Sequence, residues 1–269
     1  MVISHIGGQF GNILYEIACG KYFAKIHNDE FKFCIEPRSE TKYHLRVNYD
    51  YFFKLFEDSL ITYEEAEKIT LNNKNKVIKY HEPIEYRRKY FDQFKFIDNE
   101  HYYIIFGNRQ STKYWGDNVE FVKSLFNFDF ELPNFEFDLN NSVGIHFRTL
   151  KHFSHLNRHF VYNQLYDLVK SNPQKDYLLF VDNLHMFRLW FGGVYENLLK
   201  LKNFRLVHNH LFMDFKLLSL CKERIIGMST FAWWASYLSN TKTYMIKDHY
   251  LKYKNEFDNE LKLKNFEII

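Results

Sequence analysis

Three short stretches carry the side chains best suited to chemistry. "VGIHFRTL" closes an apolar run with His146 and Arg148, two residues apart and therefore on one face of a strand. Arg148 supplies a permanent charge and a planar fork of donors that matches a pair of diphosphate oxygens, although a lone arginine just past a strand is ordinarily a surface residue. "ERIIGMSTFAWW" runs a strand, Arg224 to Gly227, into Ser229 and Thr230 and then into a helix. Either hydroxyl caps that helix, and the amides of its first turn then form an anion site or simply end an ordinary strand-to-helix turn. "HLFMDFKLLSLC" puts Asp214 at the opening of another helix, where its carboxylate complements the helix dipole or accepts the paired donors of a guanine edge.

The chemistry such a set suits is the departure of a phosphate. Breaking a bond between a sugar carbon and a diphosphate builds negative charge on the leaving oxygens, and an arginine and a helix terminus donate to them from fixed positions. A metal held by an Asp-x-Asp pair does this in many glycosyltransferases, and no such pair is present; "DFE" at Asp129 and "EFD" at Glu136 are near misses. His155 and His159 are one helical turn apart, with His152 nearby, but they lack a cysteine or a clear third partner, so no metal is expected. No general base is legible. Asn12 can position a hydroxyl but cannot take its proton, and Asp182, at the end of "YLLFVD", qualifies only by location.

These groups need a sheet to hold them. From residue 143 short apolar strands alternate with helices: strands at 143–147, 177–181, 204–207, 224–227 and 243–246, helices at about 160–170, 184–190, 213–221 and 231–238. That order predicts a doubly wound parallel sheet covered on both faces, with ligands at the carboxyl ends of its strands. The N-terminal part reads as a strand at 2–4, the glycine turn "GGQFGN", a core-facing helix, a strand at 31–36, a mainly helical stretch at 48–75 with a Thr62 cap and Glu65, a strand at 102–106 and a helix at about 117–126. Pro133 and scattered acids break the pattern, which predicts an N-terminal domain over 1–138 and a C-terminal domain over 139–269.

Taken together and in order, "GGQFGN", "GNRQSTKYW", "IHFR" and "DFKLLSLCKERIIGMSTFAWWASYL" resemble the α-1,2-fucosyltransferases of glycosyltransferase family 11. The resemblance implies an inverting, metal-independent enzyme of the two-domain B-type glycosyltransferase architecture, its C-terminal domain Rossmann-like and its N-terminal domain facing the acceptor. It implies transfer of L-fucose from GDP-fucose, the donor substrate, to a galactose-type 2-hydroxyl of a glycan acceptor, with no cofactor. Carried over by residue, Arg148 falls on the donor-diphosphate arginine, His146 lies near the nucleotide, and Ser229, Thr230 and Phe231 match the phosphate-binding turn. Asp214 would read guanine, while Gly11 and Asn12 would line the reaction centre; Gln110 and Ser111 match a motif without an assigned role. Thr149, Leu150 and Lys151 replace the usual continuation after the arginine, and Ile13 replaces the usual glutamine. The altered loop leaves room for a rival, a nucleotide or carbohydrate binder that kept the fold and lost the reaction.

Composition bounds the rest. The 29 Phe and 20 Tyr among 269 residues fill cores rather than mark a stacking surface, and a formal charge of +3 without a basic stripe argues against nucleic acid. Cys19, Cys34 and Cys221 are odd in number and unspaced, as buried free thiols of a reducing compartment would be. No leader or membrane-length apolar run is legible, so a soluble cytoplasmic protein is expected.

Overall fold

The computed structural model describes the chain apart from residues 44–48, 83–89, 91, 93, 129–136, 150, 240 and 262–264. Asp129, Pro133, Glu136 and Leu150 therefore lie outside the described residues, as do the side chains of Lys151 and His152. The chain divides into two compact units, Met1–Asn127 with Asp258–Leu261, and Phe128–Phe257 with Lys262–Ile269. The division falls after Asn127, ahead of the sequence breakpoint, because Phe128 already packs its ring on Phe212 and Phe215. The return of Asp258–Leu261 to the first unit has no counterpart in the sequence reading.

The first unit is built on a four-stranded parallel sheet, in the order β2-β1-β4-β3. Strands β1 (Val2–Ile6), β2 (Phe31–Ile35), β3 (Val77–His81) and β4 (Tyr102–Phe106) are joined through helices α1 (Phe10–Ile26), α2 (Pro37–Tyr43), α3 (Asp50–Lys54) and α4 (Tyr63–Asn72). α5 (Val119–Leu125) follows β4. All five residues of β1 are buried, as expected for a central parallel strand covered on both faces. The capping box of α4 forms as its sequence predicts: Glu65 N donates to Thr62 Oγ1 at 3.1 Å, and Thr62 N donates to the Glu65 carboxylate at 2.7 Å.

The second unit holds a six-stranded parallel sheet, β10-β9-β8-β5-β6-β7. Its elements run β5 (Ser142–Phe147), α6 (Lys151–Phe160), α7 (Tyr166–Ser171), β6 (Asp176–Val181), α8 (Leu184–Leu198), β7 (Phe204–Val207), α9 (Leu211–Leu220), β8 (Glu223–Ile226), α10 (Thr230–Ser239), β9 (Lys242–Met245), α11 (Lys247–Lys252) and β10 (Phe266–Ile268). With β5 counted first, the order is 3-2-1-4-5-6, the Rossmann arrangement. One face packs Val143, Ile145, Phe147, Leu179 and Ile225 against Phe160, Leu165, Phe187 and Phe191 of the helical layer. On the other face Arg224 reaches out of β8 to the last carbonyls of α9. The fold class is therefore the expected one: α/β, with a doubly wound, Rossmann-like C-terminal unit.

Two helices differ from the sequence reading. The helix expected from about Phe160 begins at Lys151 and continues through a π-turn, because Asn157 and Phe160 supply its inward face. α8 runs past Trp190 to Leu198 despite Gly192 and Gly193; it bends at Phe191 (φ −134°, ψ 19°), and Tyr195 and Leu198 beyond the bend are buried.

Candidate functional site

In the second unit the connection reverses direction at β5. From β5 the chain adds β6 and β7 on one side, then crosses to the other side for β8, β9 and β10. A crevice at the carboxyl ends of an open parallel sheet opens at such a switch point. His146 pairs with Ile226 in the β5–β8 ladder, so Arg148 and Met228 each stand two residues beyond that rung on neighbouring strands. The ends of β5 and β8 thus bring together His146, Arg148, Ser229, Thr230 and Phe231.

The local chemistry explains how each is held. Ser229 is the residue before α10: its carbonyl accepts from Trp233 N at 2.8 Å and its hydroxyl lies 3.5 Å from Ala232 N. Ser229 rather than Thr230 is thus the cap, and the amides that open α10 have no partner within the helix. Arg148 is mostly covered, its side chain 23% exposed, with Nε 3.9 Å from Asp182 Oδ2. Asp182 Oδ1 accepts from Thr149 N at 2.8 Å and from Thr149 Oγ1 at 2.6 Å. Asp182 is therefore engaged in anchoring the residue after Arg148, and Thr149, one of the departures in the loop, is what anchors to it.

His146 is 5% exposed, and its ring stacks against Phe231 with centroids 5.3 Å apart. Its Nδ1 is buried with no hydrogen-bond partner among the described residues. Burial pushes its pKa down to about 4; Arg148 adds to the effect and Asp182 opposes it, so the ring is neutral at pH 7. Phe231 in turn meets Phe215 of α9 edge-on at 5.2 Å. One residue back, Asp214 turns an oxygen toward the preceding loop, accepting from Asn209 N at 3.1 Å and Asn209 Nδ2 at 3.0 Å. Burial raises the Asp214 pKa.

Gly11 and Asn12 belong to the first unit, in the opening turn of α1. Asn12 Oδ1 accepts from Gln110 Nε2 at 2.9 Å, so Gln110 fixes the orientation of the Asn12 amide. Ser111 donates to the buried carboxylate of Glu260, which also accepts from Tyr90 N at 3.0 Å and Lys113 Nζ at 3.1 Å. Nearby, at the carboxyl ends of β1 and β4, lies a cavity of about 230 Å3 lined by the turns Gly7–Gly8 and Gly107–Asn108, with Ser39 and three glutamates, Glu16, Glu36 and Glu82. Gly8 (φ 84°) and Gly107 (φ 103°) take backbone angles that side chains disfavour, and so let these turns form the rim. Glu82 accepts from Asn108 N at 2.9 Å and Arg109 N at 3.0 Å, and Glu16 accepts from Gly7 N at 2.8 Å.

The turn at the end of β8 also lies inside a stretch shared with a known family. Residues 201–268 match the model of Glycosyl transferase family 11. The match spans Asp214, Ser229, Thr230 and Phe231, and stops short of Arg148. No curated protein matches the chain. Among solved structures it is similar to the NodZ alpha-1,6-fucosyltransferase soaked with GDP-fucose, at 16% identity over 88% of this chain and 91% of that one, with a TM-score of 0.49. It is also similar to the Se-Met fucosyltransferase NodZ from Bradyrhizobium, at 15% identity over 87% and 90%, with a TM-score of 0.46.

Some residues of interest escaped the sequence reading. The three glutamates come from α1, from the end of β2 and from the end of β3, and only the fold gathers them. Glu16 did leave a signal, a lone charge inside "ILYEIACG". The three cysteines are free and buried, as expected, and burial pushes Cys19 and Cys34 up to about 12 and Cys221 up to about 11, which makes them poor nucleophiles. Among the described residues no three His, Cys, Asp or Glu side chains gather as metal donors, and no helix is long and apolar enough to cross a membrane.

Glu16 yields a first test. Burial holds its carboxyl well above the usual range, with Glu36 and Glu82 adding to the effect. The folded chain therefore keeps a proton that the unfolded chain releases, and stability falls as pH rises from the ordinary glutamate value through the raised one. Glu16→Gln keeps an oxygen for Gly7 N and has no charge to bury. Its melting temperature at neutral pH is expected to rise by about 2–4 °C per kcal/mol recovered, with a flatter profile above the ordinary glutamate value. A variant that melts lower at every pH would show Glu16 to be an ionised, paired group instead.

Proposed function

We propose that the protein is an inverting, metal-independent glycosyltransferase that moves L-fucose from GDP-fucose to a hydroxyl of a glycan acceptor, the 2-hydroxyl of a galactose-type residue. The observation that carries the reading is the position of Arg148 and the α10 turn just past the carboxyl ends of the paired strands β5 and β8, at the switch point of a Rossmann-like sheet. The family match over 201–268 supports it by covering that turn.

On this reading the diphosphate lies across the ends of β5 and β8. Arg148 donates its fork to the departing oxygens, with Asp182 behind it limiting the swing of the guanidinium. The opening amides of α10 donate along the helix dipole, and the Thr230 hydroxyl adds a further donor. Both sets of donors stand in place before the bond breaks, so they need no reorganisation as charge develops. His146, neutral and stacked on Phe231, offers a ring nitrogen to the nucleotide without adding charge. Asp214 still has an oxygen available for guanine donors beyond the one that Asn209 engages. In the first unit Asn12, held by Gln110, orients the acceptor hydroxyl, and the carboxylates around the cavity suit the donors of sugar hydroxyls.

A metal-free thermal-shift series tests the reading. GDP and GDP-fucose are expected to raise the melting temperature in the presence of a chelator, and incubation of GDP-fucose with a β-galactoside to release GDP and yield a product whose linkage NMR reads. Equal stabilisation by UDP-sugars, or dependence on manganese, would overturn it. Binding of GDP without transfer or hydrolysis would instead favour the non-catalytic binder.

A further inference from the structure

Arg148 and the turn after β8 are joined by a second route, through two buried side chains that the mechanism does not use. Met228 N donates to His249 Nδ1 at 3.0 Å. That bond leaves the ring proton on Nε2, which lies 2.7 Å from Asn157 Oδ1. Asn157 Nδ2 then donates to the Arg148 carbonyl at 3.2 Å. The line of hydrogen bonds runs from the turn, through α11, through α6, to the residue that follows β5. Each of its two side chains is 1% exposed.

We propose that Asn157 and His249 are positioning residues that set the spacing between the Arg148 backbone and the Met228–Thr230 turn, and so shape the diphosphate site. The proposal rests on the functional reading above. Every link uses one donor and one acceptor in a fixed sense, so the line works only with a neutral imidazole protonated on Nε2. Burial is the main force holding the ring neutral, pushing it down to about 3, with Lys252 and His146 adding to the effect. A charged ring would put two N–H groups in opposition at Met228.

The backbone is shaped for the same ring. A β-carbon on Gly227 would sit 2.7 Å from His249 Cε1 and 2.8 Å from Nε2, so the turn lies directly against the imidazole face. His249 therefore supports the turn by contact at Gly227 and by hydrogen bond at Met228. Asn157 carries that support to the other strand. The two residues are far apart in sequence, and they act on the site through its backbone, at Met228 N and at the Arg148 carbonyl.

Amide hydrogen exchange and GDP titration of the full chain test this together. In Asn157→Ala, exchange at 227–230 is expected to quicken although the substitution lies on α6, and the GDP dissociation constant to rise about tenfold. His249→Phe keeps a ring against Gly227 and removes both nitrogens, and is expected to weaken GDP to a similar degree. Because the two act as one connection, the double variant should be little worse than either alone. Asn157→Ser is the milder change should alanine impair folding. Variants that melt lower yet exchange at 227–230 and bind GDP as the wild type does would overturn the proposal and leave the GDP reading standing. A wild type that ignores GDP, with exchange still quickened in Asn157→Ala, would overturn the functional reading and with it the purpose assigned to the line.

Discussion

Arg148→Ala is expected to lower the transfer rate by about a hundredfold or more and to abolish most of the thermal stabilisation by GDP. The size of the effect follows from the placement of the side chain. It is a cation at the β5 end of the switch point with a defined orientation, restrained by Asp182 on the neighbouring strand. A lysine there carries the charge on a flexible stem without the planar fork, so Arg148→Lys is expected to regain only part of the loss. The fold without nucleotide should be kept, since the side chain is partly exposed just past the end of its strand. GDP release measured on all three proteins decides it: equal rates in wild type and Arg148→Ala would remove the arginine from the mechanism.

The second large effect concerns stability and a different arginine. Arg224 is 0% exposed, yet its guanidinium donates to the carbonyls of Leu218 at 2.7 Å, Ser219 at 2.8 Å and Cys221 at 3.0 Å, and to the Thr241 hydroxyl. These include carbonyls that the end of α9 leaves without intrahelical partners. The arginine caps the helix from the neighbouring strand and meets the negative end of its dipole. Burial lowers its pKa only to about 10, so it stays charged in the neutral range. Arg224→Leu removes the cation and strands those oxygens in a dry environment; a loss of about 3–5 kcal/mol is expected. Urea unfolding followed by tryptophan fluorescence, with Trp233 and Trp234 on α10 as reporters, would register it as a lowered midpoint. A loss under about 1 kcal/mol would mean that water reaches these carbonyls.

What the sequence displayed and what it concealed divide along physical lines. "YLLFV" and "ERII" were readable because their central strands, β6 and β8, bury an apolar run, while the edge strand β7, "FRLV", was readable because it buries both ends and sits in the regular alternation with helices that named the sheet. β3 passed unnoticed because it is an edge strand: "VIKYH" is buried only at Tyr80 and reads as a mixed segment. β10, with "FEI" at the opposite sheet's edge, is hidden for the same reason. The donors at Arg148, Ser229 and Thr230 were legible because strand-end chemistry is local, needing only one strand and the residues after it. Asn157 and His249 were not, since neither has a local signature; a buried amide and a buried imidazole become a pair only when α6 and α11 pack. The glutamates around the cavity obey the same rule.

The excursion of Asp258–Leu261 bears on how the molecule is made. Glu260 supplies Ser111, Lys113 and Tyr90 with a shared buried partner, yet ribosomes deliver it only after residues 128–257. The first unit therefore lacks one of its own internal anchors, the one that holds the GNRQST loop, until residues 128–257 have been synthesised.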